Sequence, residues 1–420
     1  MNRLITAALK LAHSSSELLA RPWDNGRRML SSVIAGSLAY AVALFVTFPG
    51  TLLHRNFFHT RMWDTLLLSE NLFARNLQEQ IMAHRLTVPV LVKFLHIDQP
   101  ALITILFQIL PSVATLALIY YNAARRIGPR TAWPITLALA LSFLLFYTFY
   151  YGGLFDPVTH LCLAAVMTTA NPAVGFACAI AGIFNDERFV IAAPFALLWH
   201  YQGGTWSSLI RQTVKPAAGV LLGLACAIPL RHAIAVGWLG PGVTSNVDLS
   251  QALTTLRPYD TKSFSAGWAV FALNFFMSFR WTWLLVFMFF VRKSPRYSSL
   301  FKGLLFCSLI PPVLSAALVM DVAKSIGYLF PAVLFCIVNL VADSKDAENL
   351  GNRLWAVVAA LVITPVFCIN GVYPAFWLPL PIEGVRSLVE GIWGIDIIRE
   401  WIVPAVHSDT ILIPADSWKK

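Results

Sequence analysis

The chain has 420 residues and a formal net charge of +10, with 58% of its residues hydrophobic and only 12% charged. Soluble domains carry roughly 45–50% apolar and 25% charged residues, so the composition excludes a soluble globular protein and points to a chain that lives in lipid. A basic excess on such a chain fits cytosolic loops obeying the positive-inside rule, and no nucleic-acid partner is expected from it.

Residues 1–28 are polar and carry Arg3, Lys10, Glu17, Arg21, Asp24, Arg27 and Arg28. The basic residues place this segment in the cytosol. No small-residue cleavage site follows the first apolar run, "SSVIAGSLAYAVALFVTF" (31–48), so that run is expected to stay in place as an anchor. Runs 101–121, 303–320 and 355–373 are also as long as a helix needs to cross a hydrocarbon core. The expected fold class is all-α: a polytopic integral membrane protein with about nine to eleven transmembrane helices. Its parts are the cytosolic segment 1–28, one transmembrane domain over 29–375, and a C-terminal segment over 376–420. In that last segment Trp377, Trp393, Trp401 and Trp418 read as an interfacial aromatic belt on the outer face.

Loop 49–96 is too polar to span. Trp63, Leu66, Leu67, Phe73 and Leu77 recur at helical spacing with Asp64, Glu70, Arg75 and Glu79 between them, which predicts amphipathic helix at the outer interface. The basic loops 122–131, 291–302 and 344–353 join the N-terminus on the cytosolic side. Counting crossings between them, residues 173–200 must begin and end on one face. They are too few for two crossings of about 20 residues each, so a hairpin of two half-helices is expected, with "NDER" (Asn185 to Arg188) at its tip.

Charged residues at membrane depth need protein or a wet cavity around them. Arg188 could simply neutralise Asp186 or Glu187 and close the hairpin, or the tip could contact a ligand. Asp156, before Pro157, is a good helix N-cap. His160 follows it in the same span. Asp321 and Lys324 lie at the outer end of a later span, and Arg280 lies midway along the span 264–291, where a cation needs a partner. Cys162, Cys178, Cys226, Cys307, Cys336 and Cys368 all fall in apolar runs and read as packing residues. No Walker A loop, dinucleotide fingerprint or zinc-protease motif occurs in the chain.

Three stretches carry a family resemblance. Asp64 in the first outer loop is followed by "HRLTVPVLVKFL", with Arg85 and Pro89; "NDER" sits on a short middle helix; and "DVAKSIGYLFP" combines an acid, a cation and a proline-bearing helix. This arrangement resembles the bacterial branch of the GT-C superfamily of glycosyltransferases, which use lipid-linked sugars. It departs from the family's acidic pair, having Asp64 alone with Glu70 six residues on, and it lacks the Trp-Trp-Asp-Tyr-Gly motif of oligosaccharyltransferases.

The resemblance implies an inverting transfer from a polyprenyl-phosphate sugar donor to a glycan or lipid-linked acceptor outside the cytosol, at a bacterial inner membrane. Such chemistry needs a carboxylate to take the acceptor proton, with Asp64 first and Asp156 and Glu187 in reserve. It needs cations for the lipid phosphate, for which Arg188 and Arg280 lead, followed by Lys324 and Arg85, with Asp186 and Asp321 among the binding residues. The acids are too sparse to require a metal or other cofactor, although Asp64 with Glu187 could hold one Mg²⁺ or Mn²⁺. A transporter or flippase for a lipid-linked or anionic substrate is the alternative, since broken helices and buried charges serve both.

Overall fold

Apolar stretches punctuated by proline fold into a bundle of helices. The computed structural model describes residues 14–49, 55–74, 77, 80–142, 154–235, 238, 264–317, 322–344, 347–364, 366–370, 373–379, 381, 382, 385 and 388. After a short helix over 14–24 come α1 (Arg28–Val46), β1 (Phe48–Pro49) and α2 (Arg55–Glu70). A 3-10 turn (Gln80–His84), α3 (Thr87–Leu95), α4 (Pro100–Ile127) and α5 (Pro129–Ala140) follow. The middle of the chain forms α6 (Asp156–Thr168), α7 (Pro172–Asn185), α8 (Arg188–Leu198) and α9 (Trp206–Ala235). Next are α10 (Phe264–Phe279), α11 (Thr282–Val291), α12 (Ser299–Ala317), α13 (Val322–Gly327), α14 (Phe330–Ala342) and α15 (Ala347–Ile363). Proline opens the first turn of α4, α5, α6, α7 and α14, where its missing N–H costs no helical bond.

Four helices, α1, α4, α9 and α12, are long and apolar enough to cross a membrane, and α10 with α11 make a fifth if that bent pair is one span. Against nine to eleven expected spans, the other apolar helices among the described residues are shorter, including α7, α8 and α14. The run 355–373 departs from its expected helix: α15 ends at Ile363, and the chain continues as β2 (Val366–Asn370) and β3 (Tyr373–Leu378). Pro365 accounts for the stop, since the residue before a proline avoids helical backbone and proline cannot donate the next helical bond. The strands form a small antiparallel sheet in the order β1-β3-β2. Of the expected aromatic belt only Trp377, in β3, falls in a described element; Trp393, Trp401 and Trp418 lie outside the described residues.

The basic loops gather at one end. Asn122 donates to Thr168 at 2.8 Å, Arg126 stacks on the Trp199 ring at 4.1 Å, and His200 Nε2 bonds the Val166 carbonyl at 2.9 Å. Arg296 pairs with Asp343 at 3.2 Å, and Arg130 pairs with Glu17 of the N-terminal helix at 2.6 Å. Residues 166–168 and 199–200 therefore meet, so the segment between them leaves this end and returns to it. That is the expected hairpin, with α7 and α8 as its arms and the break at Asp186 and Glu187. Arms of 14 and 11 residues are about 21 and 16 Å long at 1.5 Å per residue, short of a hydrocarbon core of about 30 Å.

The longer arm is fixed by backbone contact. On α7, Gly175, Ala179 and Gly182 lie along one side; on α9, Gly219, Gly223 and Ala227 repeat every fourth residue. A Cβ on Gly219 would stand 2.0 Å from the Pro172 carbonyl oxygen, and one on Gly223 would stand 2.7 Å from that of Phe176. Small residues at this spacing let two membrane helices approach closely. Gly219→Ala is expected to cost about 1–3 kcal/mol, read as a lowered midpoint of thermal unfolding in detergent. An unchanged midpoint would mean that the two backbones do not meet there.

Helix α14 fills the centre, with every residue from Phe330 to Val341 buried. The 89° break between α10 and α11 is held by Arg280, whose φ of 50° is left-handed. Its fully buried guanidinium donates to the carbonyls of Leu141 at 3.2 Å, Leu361 at 2.6 Å and Thr364. These carbonyls lie at the C-terminal ends of α5 and α15, where the helix dipoles favour a cation. Arg280, expected to bind a lipid phosphate, thus ties three helix ends together.

Candidate functional site

The tip of the hairpin is an ion cluster. Asp186, with no exposed surface, follows the last residue of α7 and begins the turn into α8. Its Oδ1 accepts the Arg188 backbone N–H at 2.9 Å, which supplies a partner to an otherwise orphaned donor in the first turn of α8. Its Oδ2 is 3.0 Å from Arg188 Nη1 and 2.9 Å from Arg85 Nη2. Arg85 uses its other terminal nitrogen on Asp156 Oδ1, at 3.1 Å, and on the Leu154 carbonyl, at 2.9 Å. Lys324 Nζ lies 2.8 Å from Asp156 Oδ2 and 3.9 Å from Asp186 Oδ2. Tyr328 donates to Asp156 Oδ1 at 3.2 Å, and Arg188 Nε donates to Ser325 at 2.9 Å.

Three cations thus share two carboxylates, and four of the five charged side chains are at most 4% exposed; Arg188, at 14%, is the most open of them. They come from four places in the chain: the first loop, the start of α6, the hairpin tip and α13. The loop reaches the tip because Thr87, opening α3, donates to the Ala181 carbonyl of α7 at 2.7 Å. Burial opposes the charge of Arg85, but Asp186 and Asp156 overcome it and hold the guanidinium above its ordinary pKa. Neither Asp186 nor Asp156 is a good proton acceptor, since each is bound by at least two cations.

Asp156 is drawn into this cluster and does not serve as the helix cap that its place before Pro157 suggests. The residue preceding α6 is Phe155, at φ 53°, with no side-chain capping bond. Asn185 holds this turn, donating to the Phe155 carbonyl and to Thr159, both at 2.9 Å. One turn into α6, His160 is buried, its ring 4.6 Å from that of Tyr328 and its Nε2 without a hydrogen-bond partner.

Glu187 points away from the cluster and is half exposed, paired with Arg231 of α9 at 2.8 Å. Arg231 also donates to the Ile183 carbonyl at 2.6 Å, so it braces the tip from α9. Asp321 lies outside the described residues. Asp64 is fully buried on α2, a helix that ends at Glu70 and does not run on to Leu77. Asn71 stops it by accepting the Phe73 backbone N–H at 3.1 Å. On α2, Asp64, Thr65 and Leu68 point inward, Leu66 and Leu67 of the apolar stripe are half-buried, and Trp63 of that stripe is 58% exposed. Met62 shares an apolar cluster with Val88, Val92 and Phe155, against which Leu66 and Val158 pack, so residues flanking Asp64 and residues flanking Asp156 belong to one cluster.

The tip gathers three cations around two carboxylates. Among the described residues no three His, Cys, Asp or Glu side chains gather as a metal site; Asp156 and Asp186 are bound by Arg85, Arg188 and Lys324, and Glu187 by Arg231. Sequence reading singled out every charged member of the cluster but not Tyr328 or Arg231. The signals for these were a tyrosine four residues after Lys324, one helical turn on, and an arginine near the end of an otherwise apolar run.

An apolar groove of about 360 Å³ is lined by Phe275, Trp283, Phe290, Phe306, Leu329 and Val333 among others. Leu329 of its lining directly follows Tyr328 of the cluster in the chain. No known family model, curated protein or solved structure matches the chain.

Proposed function

We propose that the protein is a membrane-embedded glycosyltransferase of GT-C type, which moves a sugar from a polyprenyl-phosphate donor to a glycan or lipid-linked acceptor. The observation that carries this reading is the convergence of Arg85, Arg188 and Lys324 on the hairpin tip, in a fold that also holds an apolar groove whose lining includes Leu329, the residue after Tyr328. A lipid phosphate needs both: fixed cations for its oxygens and an apolar channel for its chain. Asp156 and Asp186 set the cations in place. Arg188, the most exposed of them, meets the phosphate first, and Arg85 and Lys324 balance charge on the leaving lipid phosphate.

The acceptor hydroxyl loses its proton to a carboxylate as it attacks the anomeric carbon, while the bond from that carbon to the phosphate oxygen breaks with inversion. Asp64 is the base in this scheme, because Asp156 and Asp186 are committed to cations. The basic end faces the cytosol and the tip faces the periplasm of a bacterial inner membrane, in keeping with the positive-inside rule. No step requires a metal.

A transporter is the second reading, favoured by the two broken helix pairs, since discontinuous helices build substrate sites in many transporters. Purified protein in vesicles, given a polyprenyl-phosphate sugar labelled in the sugar, separates the two. A labelled acceptor with the donor consumed supports the enzyme; labelled donor crossing the bilayer intact, with no new glycosidic bond, supports the transporter and overturns the proposal.

A further inference from the structure

The end of the bundle opposite the ion cluster carries a second pocket, of about 350 Å³, between α11 and the start of α15. Phe287 and Val291 form its apolar wall and are 66% and 67% exposed. Met288, Arg292, Arg353, Ser344 and Leu350 line the rest, and among the described residues the lining holds two guanidiniums and no carboxylate. Arg292 donates to Ser344 at 3.4 Å, which brings the hydroxyl beside one of the guanidiniums. The wall belongs to the second half of the bent span, whose last helical residue is Val291, so the pocket sits where apolar helix gives way to the charged loop. Phe287 also lines the groove that includes Leu329, so one apolar wall continues from the pocket along α11.

We infer that this pocket binds an anionic phospholipid, with its phosphate held between Arg292 and Arg353 and an acyl chain lying along Phe287 and Val291. The charge match selects an anion, and the continuous apolar wall selects one that carries a chain. Basic pockets between membrane helices on the cytoplasmic side bind acidic head groups by the same physics. The site is distinct from the tip cluster and is independent of the proposed sugar transfer.

The test is lipid binding to the full chain in detergent, followed by native mass spectrometry with phosphatidylglycerol, phosphatidylcholine and inorganic phosphate as separate probes. Phosphatidylglycerol is expected to bind and phosphatidylcholine not to bind at the same concentration. Removing both charges, R292Q with R353Q, should weaken phosphatidylglycerol roughly thirtyfold, at about fivefold per guanidinium near an anionic head group. Removing two exposed charges elsewhere on the chain, R211Q with K215Q, should leave the affinity unchanged. Equal binding of the two lipids, an equal loss in both double variants, or displacement of the lipid by equimolar inorganic phosphate would overturn the assignment. If the first double variant does not fold, Arg353→Gln alone decides: a loss of about fivefold supports the site, and an unchanged affinity overturns it.

Discussion

Asp186→Asn is expected to lower the unfolding free energy by about 3–5 kcal/mol, the cost of breaking a buried ion pair from one side. The substitution keeps the shape of the side chain and removes its charge. Arg188 would then lose its ion pair with Asp186, and Arg85 and Lys324 would keep only their pairs with Asp156. The loss should be cooperative, because Arg85 bridges both carboxylates through its two terminal nitrogens. Replacing Arg85 and Asp186 together should therefore cost less than the sum of the two single changes. The measurement is equilibrium unfolding of the purified protein in detergent for both single variants and the double. A change within about 0.5 kcal/mol, typical of an exposed site, would mean that the cluster is solvated and carries no structural load.

Asp64→Asn should reduce the rate of sugar transfer roughly a hundredfold to ten-thousandfold, the range spanned by a positioned general base. The amide preserves the volume of a side chain fully buried on α2, so the variant should still insert and fold, and any stability that the lost charge costs is read separately from the rate as a lowered unfolding temperature. The turnover rate should fall while donor affinity holds, because a base acts on the acceptor and the cations act on the donor. Transfer at the wild-type rate would remove Asp64 from the mechanism. A large drop in unfolding temperature would assign the residue to packing.

Much of the site was legible because buried charge is expensive: a chain that keeps Asp156, Asp186, Arg188 and Lys324 among apolar runs must bring them together. The hairpin was legible from length, since 28 residues between two points on one face cannot cross twice. What could not be read was direction. The periodicity of α2 marks an amphipathic helix but not which face is covered, and Trp63 faces outward while Asp64 faces in. Arg280 looked like a ligand for an anion because a mid-span cation needs oxygen partners. The carbonyls at the ends of α5 and α15 fill that need, and they come from segments more than 80 residues away on either side. Asp156 had a local explanation as a helix cap, and distant cations won because each adds a charged hydrogen bond where a cap adds a neutral one. The spacing of Gly219, Gly223 and Ala227 stands in the sequence, but its meaning depends on a facing helix with matching small residues, which α7 supplies.

The central claim is that the cations of the hairpin tip recognise a lipid phosphate. Binding of polyprenyl phosphate and of the uncharged polyprenol to the purified chain, measured side by side with the wild type and Arg188→Gln, tests it most directly. The phosphate form should bind well and polyprenol weakly. Arg188→Gln should weaken the phosphate form roughly tenfold to a hundredfold, the value of one charged hydrogen bond, and leave polyprenol unchanged. Equal affinity for the two lipids, or a phosphate affinity that does not change when Arg188 is replaced, would contradict it.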